Sequence, residues 1–167
     1  MEEKVFNCKY AAMTAGDKTA FAEIYDEMKK TVYTLILRIV KRRAVAEDVM
    51  QELFLRLWRD GEKEHIKKPR SYIFMMARTM AIDELRHAPV SELEEEFSDG
   101  RLFADAVIEK LDIEAALSLL PCAERETVVL HINAGLKFRE ISDVTSVPLG
   151  TALYRYHSAI KKLRKLL

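Results

Sequence analysis

Polar side chains at helical spacing are the first feature of this sequence that could do chemistry. Asp48, Gln51 and Glu52 are three and four residues apart, so they share one face of a helix. Leu55 continues the same face one turn later. Acceptor and amide groups beside an apolar side chain suit a partly polar protein interface. The same spacing also suits a solvated face that is stabilised by ion pairs such as Glu52–Arg56.

A second feature, near the carboxyl end, is the pattern of a helix-turn-helix. A helix over residues 138–144 and a long helix over 149–166 flank a short turn. In such a pair the second helix is free to enter a major groove, where its outer side chains reach base edges. The candidates for that outer face are Thr151, Leu153, Tyr154, Arg155 and Ser158.

The same long helix ends in a cluster of cations that includes Lys161, Lys162 and Arg164. Such a cluster can contact DNA phosphates and give sequence-independent, salt-sensitive affinity. Basic residues also favour the last turn of a helix because they complement the helix dipole. Both interpretations of the cluster therefore stay open.

Catalytic and metal-binding chemistry have little support in the sequence. It contains no phosphate-cradling Gly-rich loop and no Ser/His/Asp pattern that can be placed. Cys8 and Cys122 are expected to be reduced packing residues, and His65 and His87 to be surface residues rather than metal ligands. We therefore expect no cofactor, no metal and no enzymatic activity.

The elements that must position these residues are helices. The chain has 167 residues, of which 49 % are hydrophobic and 32 % charged, with five Gly and two Cys. This composition excludes a disordered chain and a disulfide scaffold. Apolar residues recur at three- and four-residue spacing along most of the chain, which predicts an all-α fold. No signal peptide or membrane span is evident in the sequence, so the expected location is the cytoplasm.

The net charge of zero is unevenly distributed along the chain. Residues 1–90 carry +3, residues 91–114 carry −7 and residues 115–167 carry +4. An acidic segment poor in apolar residues is typical of a linker, although a solvated helix face also fits. We predict two small helical domains, at 1–90 and 115–167, joined by an acidic linker.

Local signals predict where the helices begin and end. Asp17 is placed to cap the first helix, and the second is expected to end near Asp60, before a glycine. Pro69 suits the first turn of the third helix, where its missing amide has no cost. Two further helices are expected over 113–120 and 124–134, ahead of the helix-turn-helix.

Three segments in this order, 16–25, 46–58 and 69–86, precede the helix-turn-helix. The series resembles the bacterial sigma factors of the extracytoplasmic-function (ECF) group. Those proteins are the small members of the sigma-70 family and contain only regions 2 and 4. The resemblance covers nearly the whole chain and implies that the first domain is region 2 and the second is region 4.

The resemblance implies a protein that binds RNA polymerase core, directs it to promoters and assists promoter melting. In the family, the second helix of region 2 docks on the clamp helices of the polymerase β′ subunit. Asp48, Gln51 and Glu52 match the polar docking residues, with Leu55 beside them. The implied partners are the β′ and β subunits of the core, promoter DNA and a cognate anti-sigma factor. The chain itself is not expected to be a membrane protein, and polymerase would bring it to the nucleoid.

The third helix and the loop before it match the part of the family that opens the promoter at the minus-ten element. Holding a melted strand requires cations for the backbone and surfaces for extruded bases. Tyr72 is expected in the core. For Phe74 both core packing and contact with an extruded base stay open. The family usually has Asn at the position of Thr79, so a different base preference is expected there. The implied contacts are Lys67, Lys68, Arg70, Phe74, Arg78, Thr79 and Arg86.

The helix-turn-helix matches the part of the family that binds the minus-thirty-five element. The usual Leu-Gly before the turn is Thr145-Ser146 here, which predicts a slightly different turn. Two cations of the family's recognition helix are replaced by Leu153 and Ser158, which predicts weaker reading or apolar contact with thymine methyl groups. The implied contacts are Arg139, Thr151, Leu153, Tyr154, Arg155, Ser158, Lys161 and Lys162.

Two other functions compete on the sequence alone. A helix-turn-helix regulator that acts without polymerase would bind duplex DNA by itself, which the zero net charge disfavours. A sigma-like decoy that titrates a regulatory protein would suit the depleted recognition helix.

Overall fold

Helices account for most of the computed structural model, which describes residues 1–60, 66–87 and 115–166. No strand occurs within those ranges, so the all-α prediction is confirmed for this part of the chain. A short helix, α5, includes residues 115–118. The other helices are α1 (Glu3–Thr14), α2 (Lys18–Val40), α3 (Arg43–Asp60), α4 (Pro69–His87), α6 (Cys122–Ile132), α7 (Phe138–Thr145) and α8 (Leu149–Leu166).

The chain divides into two compact units, Met1–Leu93 and Glu94–Leu167. Unit 1 contains α1 to α4, and unit 2 contains α5 to α8. The acidic segment predicted as a linker, residues 91–114, lies outside the described residues. The assignment of 1–90 and 115–167 to two sigma regions therefore stays a prediction at this point.

Unit 1 is built around α2, which packs against α1, α3 and α4. Ile24, Met28 and Val32 of α2 recur at four-residue spacing and are buried, as the apolar face of a helix should be. Leu53 of α3 and Ile73 of α4 are likewise buried. Removing these apolar side chains from water is what holds the four helices together.

The predicted helix boundaries in unit 1 are largely confirmed. The Asp17 carboxylate accepts hydrogen bonds from the backbone N–H groups of Thr19 and Ala20, at 2.8 and 3.1 Å, and so caps α2. Helix α4 begins at Pro69 and α3 ends at Asp60, as expected. The glycine predicted to follow α3 lies outside the described residues.

Helix α1 was not predicted, although its signal is present in the sequence. Phe6, Tyr10 and Met13 are spaced by four and three residues and are all buried. Cys8 on α1 and Cys122 at the start of α6 are free thiols, but both are exposed, so the expectation that they are packing residues is wrong.

In unit 2, a small core forms where α5, α6 and α8 meet. Leu117, Leu120, Val128 and Ala159 are buried there, with Tyr156 and another apolar side chain packed against them. Helix α6 begins and ends two residues earlier than the predicted 124–134, with Pro121 as its N-cap and Asn133 as its C-cap. Of the helix predicted over 113–120, residues 115–118 are helical and the first two lie outside the described residues.

Candidate protein and nucleic-acid interfaces

The outward face of α3 carries the polar stripe that the sequence predicted. Asp48 and Gln51 are exposed, and 60 % of Leu55 is exposed beside them. Leu53 and Leu57 are buried on the opposite face, where α3 packs in unit 1. The face is therefore real and accessible, and its apolar member is one of the most exposed large hydrophobic side chains in the described residues.

The ion pair that a solvated face would contain is also present on α3. Arg56 Nε donates to Glu52 Oε1 at 2.6 Å, with both side chains about half exposed. Glu52 and Asp48 also line a groove between α3 and α4, together with Asp83 and Glu84 of α4. This side of unit 1 is consequently acidic, with Arg56 among the groove's lining residues.

Helix α4 and the residues just before it place several of the expected minus-ten contacts on the surface. Lys67 and Lys68 are exposed immediately ahead of the helix, and Arg86 is exposed near its end. Thr79 is exposed, and its hydroxyl donates to the Met75 carbonyl oxygen at 2.9 Å. The oxygen of that hydroxyl can still accept a hydrogen bond from a base. Arg78 is half-buried.

Phe74 is not available to stack on a base. Only 1 % of its surface is exposed, because it shares the core-facing side of α4 with Ala77 and Ala81. The expectation that Phe74 contacts minus-ten DNA is therefore wrong for this fold. Tyr72, which was expected in the core, is half-buried.

The expectation that Arg70 contacts minus-ten DNA is also wrong, because its side chain faces α1 and α2 rather than open solvent. Its Nη2 lies 3.2 Å from Glu27 Oε1 and donates to the Met1 carbonyl oxygen at 3.1 Å. Its guanidinium carbon lies 4.7 Å from the centre of the Phe6 ring, which is a cation–π contact. Arg70 therefore ties the start of α4 to the first two helices.

Glu27 is the acidic partner in this cluster. The Met1 ammonium donates to it at 2.9 Å, and this hydrogen bond, with a smaller contribution from Arg70, lowers the pKa of the carboxyl group. Burial acts in the opposite direction. The ionised form of Glu27 is therefore the one that the fold stabilises.

The helix-turn-helix of unit 2 is formed by α7 and α8. Ile141, Val144 and Ala152, three of the residues predicted to join the two helices, are buried. The predicted partners Val147 and Tyr156 are half-buried. Tyr156 packs edge-on against Phe138 with ring centres 5.1 Å apart, which adds an aromatic contact between the helices.

The turn between these helices contains a serine in a conformation that favours glycine. Ser146 has φ 54° and ψ 41°, in the left-handed region. The Val147 N–H donates to the Ser142 carbonyl oxygen at 3.2 Å, the bond that closes a helix with a left-handed residue. The Ser142 hydroxyl donates back to the Val147 carbonyl oxygen at 2.6 Å. A non-glycine residue therefore adopts the left-handed conformation here, while the difference from the family's turn stays a prediction.

The outer face of α8 keeps some of the predicted DNA contacts. Tyr154 is 71 % exposed, the highest value among the exposed large hydrophobic residues described. Lys161 is exposed, and Thr151, Leu153 and Arg155 are partly exposed. Arg139, on the first helix of the pair, is exposed as well.

Two of the predicted contacts on α8 are instead bound to α6. The Ser158 hydroxyl donates to Glu124 Oε1 at 3.0 Å, and Lys162 Nζ donates to both carboxylate oxygens at 2.8 and 2.9 Å. Both side chains therefore bind Glu124 within unit 2, where they were predicted to contact DNA.

Sequence reasoning missed two residues of this region. Glu124 is 34 positions from Ser158, and no local spacing connects the two. His157 is exposed three residues after Tyr154, on the same outer side of α8, and helical periodicity could have found it.

The described residues contain no group of three or more His, Cys, Asp or Glu that could hold a metal ion. In the same ranges, no helix is long and apolar enough to cross a membrane.

Comparison with known proteins identifies the family. The family described as Sigma-70 region 2 matches residues 24–88. The ECF RNA polymerase sigma factor SigW of Bacillus subtilis (strain 168) is 30 % identical over 170 residues, which cover 91 % of this chain and 91 % of SigW. SigK of Mycobacterium tuberculosis (strain ATCC 25618 / H37Rv), another ECF sigma factor, is 26 % identical over 166 residues, covering 90 % and 87 % of the two chains.

Solved structures show the same fold. CnrH, in complex with the cytosolic domain of CnrY, superimposes with a TM-score of 0.70 at 19 % identity, covering 96 % of this chain and 95 % of CnrH. The sigma factor RpoE of Bartonella quintana, in complex with the anti-sigma factor NepR, gives a TM-score of 0.72 at 16 % identity, covering 86 % and 96 %. Since the chain is 30 % identical to SigW over nearly the full length of both, it belongs to the ECF RNA polymerase sigma factors of the sigma-70 family.

Proposed function

We propose that this sigma factor binds RNA polymerase core through the exposed face of α3. The observation that carries the proposal is the stripe of Asp48, Gln51 and Leu55, which faces outward from a helix whose other side is buried. Hydrogen-bonding side chains beside one exposed leucine are the mixture of groups that a partly polar protein interface presents. An ECF sigma factor directs RNA polymerase in transcription initiation and catalyses no reaction of its own.

Charge reversal on this face tests the proposal. We expect Asp48→Lys combined with Glu52→Lys to raise the dissociation constant for sigma-free core at least about 100-fold, because the change removes two hydrogen-bond acceptors and reverses the charge of a face that the partner surface must complement. The constant is measured by titrating labelled full-length chain with core. The fold should be retained, since the Glu52–Arg56 pair on the surface contributes only about 0.2–0.5 kcal/mol.

A matched control shows whether the effect on core binding depends on where the charges are changed or only on how many are changed. Glu3→Lys combined with Asp26→Lys makes the same change in net charge at exposed positions of α1 and α2. This control should bind core as the wild type does. If the α3 variant keeps native helicity by circular dichroism and still binds core normally, the docking assignment is wrong.

For the minus-ten element, the proposed contacts are the surface residues at the start of α4 and along it. Lys67 and Lys68 precede the helix, and Thr79 and Arg86 are exposed on it. Cations and a hydroxyl in this arrangement suit the backbone and one base of a separated strand. Arg78, half-buried on the same helix, stays in the proposed set, whereas Arg70 and Phe74 are removed from it.

For the minus-thirty-five element, the proposed reader is the exposed part of α8, with Arg139 of α7 as a phosphate contact. Arg155 is the one arginine on the part of α8 that would face bases, and Tyr154 offers an apolar ring to a thymine methyl group. Thr151 and Leu153 complete the base-facing set, and Lys161 is the proposed phosphate contact on the same helix.

A cognate anti-sigma factor is a further proposed partner. Its support is family membership together with two solved relatives of the same fold, whose structures contain the cytosolic domain of CnrY and the anti-sigma factor NepR. The proposed location is the cytoplasm, where RNA polymerase would bring the chain to the nucleoid.

A further inference from the structure

One half-buried acidic group in unit 2 has no part in the functions assigned so far. Glu124, in the first turn of α6, accepts hydrogen bonds from Ser158 at 3.0 Å and from Lys162 at 2.8 and 2.9 Å. Its side chain is only 12 % exposed. The Lys162 side chain is 45 % exposed, so water still screens the pair at that end, and the two hydrogen bonds to one carboxylate are what fix its geometry.

The two donors lie on one flank of α8. Ser158 and Lys162 are four residues apart, and Arg155 lies three residues before Ser158, so all three follow the same side of the helix. Glu124 thus holds the distal half of this flank against α6. Lys161, the cation immediately before Lys162, is exposed and has no ion-pair partner among the residues that the structure describes.

We propose that Glu124 is a positioning residue that keeps Lys162 out of the set of side chains that contact DNA phosphates. A carboxylate at 2.8 Å cancels most of the field of the ammonium group and repels an approaching phosphate. Lys161 supplies the phosphate contact in its place. This inference rests on the proposed function, in which α8 binds the minus-thirty-five element.

The salt dependence of binding distinguishes a lysine that contacts phosphate from one that does not. Each neutralised phosphate makes the slope of log K against log salt steeper by about 0.9. A residue with a purely structural role changes affinity without changing this slope in a charge-specific way. The two neighbouring lysines, Lys161 and Lys162, therefore serve as a matched pair.

The experiment uses holoenzyme assembled from core and the full chain. Wild-type holoenzyme first selects a binding sequence from a randomised duplex library, and that duplex is then used for every variant. Core contributes equally in all cases, so differences between slopes report on the substitutions. The variants are Lys161→Gln, Lys162→Gln, Glu124→Gln and the double variant of Glu124→Gln with Lys162→Gln. Glutamine at 124 keeps an acceptor for Ser158 and removes only the charge.

We expect Lys161→Gln to make the slope shallower by about 0.9 and Lys162→Gln to leave it unchanged. Glu124→Gln should make it steeper by about 0.9, and adding Lys162→Gln should abolish that gain. If Lys161→Gln and Lys162→Gln make the slope shallower by the same amount while Glu124 is intact, the proposal is overturned. The proposal is also overturned if Glu124→Gln makes the slope steeper by the same amount with and without Lys162→Gln.

If α8 does not bind the minus-thirty-five element, the same experiment gives a different result. Arg155→Ala combined with Tyr154→Ala is the control for this case, because this variant should weaken binding to the selected duplex while core binding stays normal. If wild-type holoenzyme enriches no sequence, or if Arg155→Ala combined with Tyr154→Ala binds as tightly as wild type, α8 does not read the promoter. Either result would overturn both the proposed role of α8 and the restraint by Glu124.

Discussion

Ser146 carries a conformational cost that the sequence indicated and the structure locates. The family usually has glycine here, and the serine occupies the left-handed region at φ 54°. Hydrogen bonds of the helix end and the packing of α7 against α8 hold Ser146 in the left-handed region, so the serine is strained. The residue type predicts the strain of a left-handed serine. The sequence does not show whether the serine adopts that conformation, because the hydrogen bonds and the packing that impose it belong to the folded turn.

Replacing Ser146 with glycine should therefore stabilise unit 2. We expect Ser146→Gly to raise the free energy of unfolding by about 0.5–1 kcal/mol, since the relief of strain exceeds the added entropy of the unfolded chain. Far-UV circular dichroism follows the helices of both units, so the melting transition that it shows and that Trp58 fluorescence does not show is that of unit 2, and its midpoint measures the effect.

The control is Ser146→Ala, which keeps a Cβ atom and should give no gain. The fluorescence of Trp58, the one tryptophan of the chain, reports unit 1 and should melt unchanged in both variants. A glycine variant no more stable than the alanine variant would show that Ser146 is not strained.

At the scale of the elements, local signals were sufficient for helix caps and helix faces. The Asp17 cap, the start of α4 at Pro69 and the exposed stripe on α3 depend on residues within a few positions of one another. Arg70 and Ser158 were misassigned because their partners are 43 and 34 residues away in the sequence. Spacing along one helix cannot show which neighbouring helix covers it.

Helix α1 is the element whose contribution is least evident from the sequence. Phe6 is fully buried and lies under the guanidinium group of Arg70, which places α1 against the first turn of α4. The helix proposed to hold the melted strand is therefore positioned partly by α1.

Truncating Phe6 should destabilise unit 1 as a whole. We expect Phe6→Ala to lower its free energy of unfolding by about 3–5 kcal/mol, because the large side chain leaves a cavity and Arg70 loses its ring contact. Urea unfolding followed by Trp58 fluorescence measures the loss. Val5→Ala, at an exposed neighbouring position, should change it by less than about 0.5 kcal/mol. Similar effects from the two variants would mean that α1 does not stabilise unit 1.

At the scale of the whole molecule, the two compact units have separate cores and separate proposed targets. Unit 1 offers the acidic and apolar face of α3 and the cations of α4, and unit 2 offers the outer face of α8. The zero net charge and the Glu124–Lys162 pair both limit the attraction of the free chain to DNA. Promoter binding is therefore expected to depend on assembly with polymerase.

The most direct test of this account is size-exclusion chromatography of the purified full-length chain mixed with sigma-free RNA polymerase core at moderate salt. We predict a stoichiometric complex that persists through the column, together with little binding of the free chain to duplex DNA. A folded chain that elutes apart from core and binds duplex DNA by itself would contradict the account, and would favour a helix-turn-helix regulator that acts without polymerase.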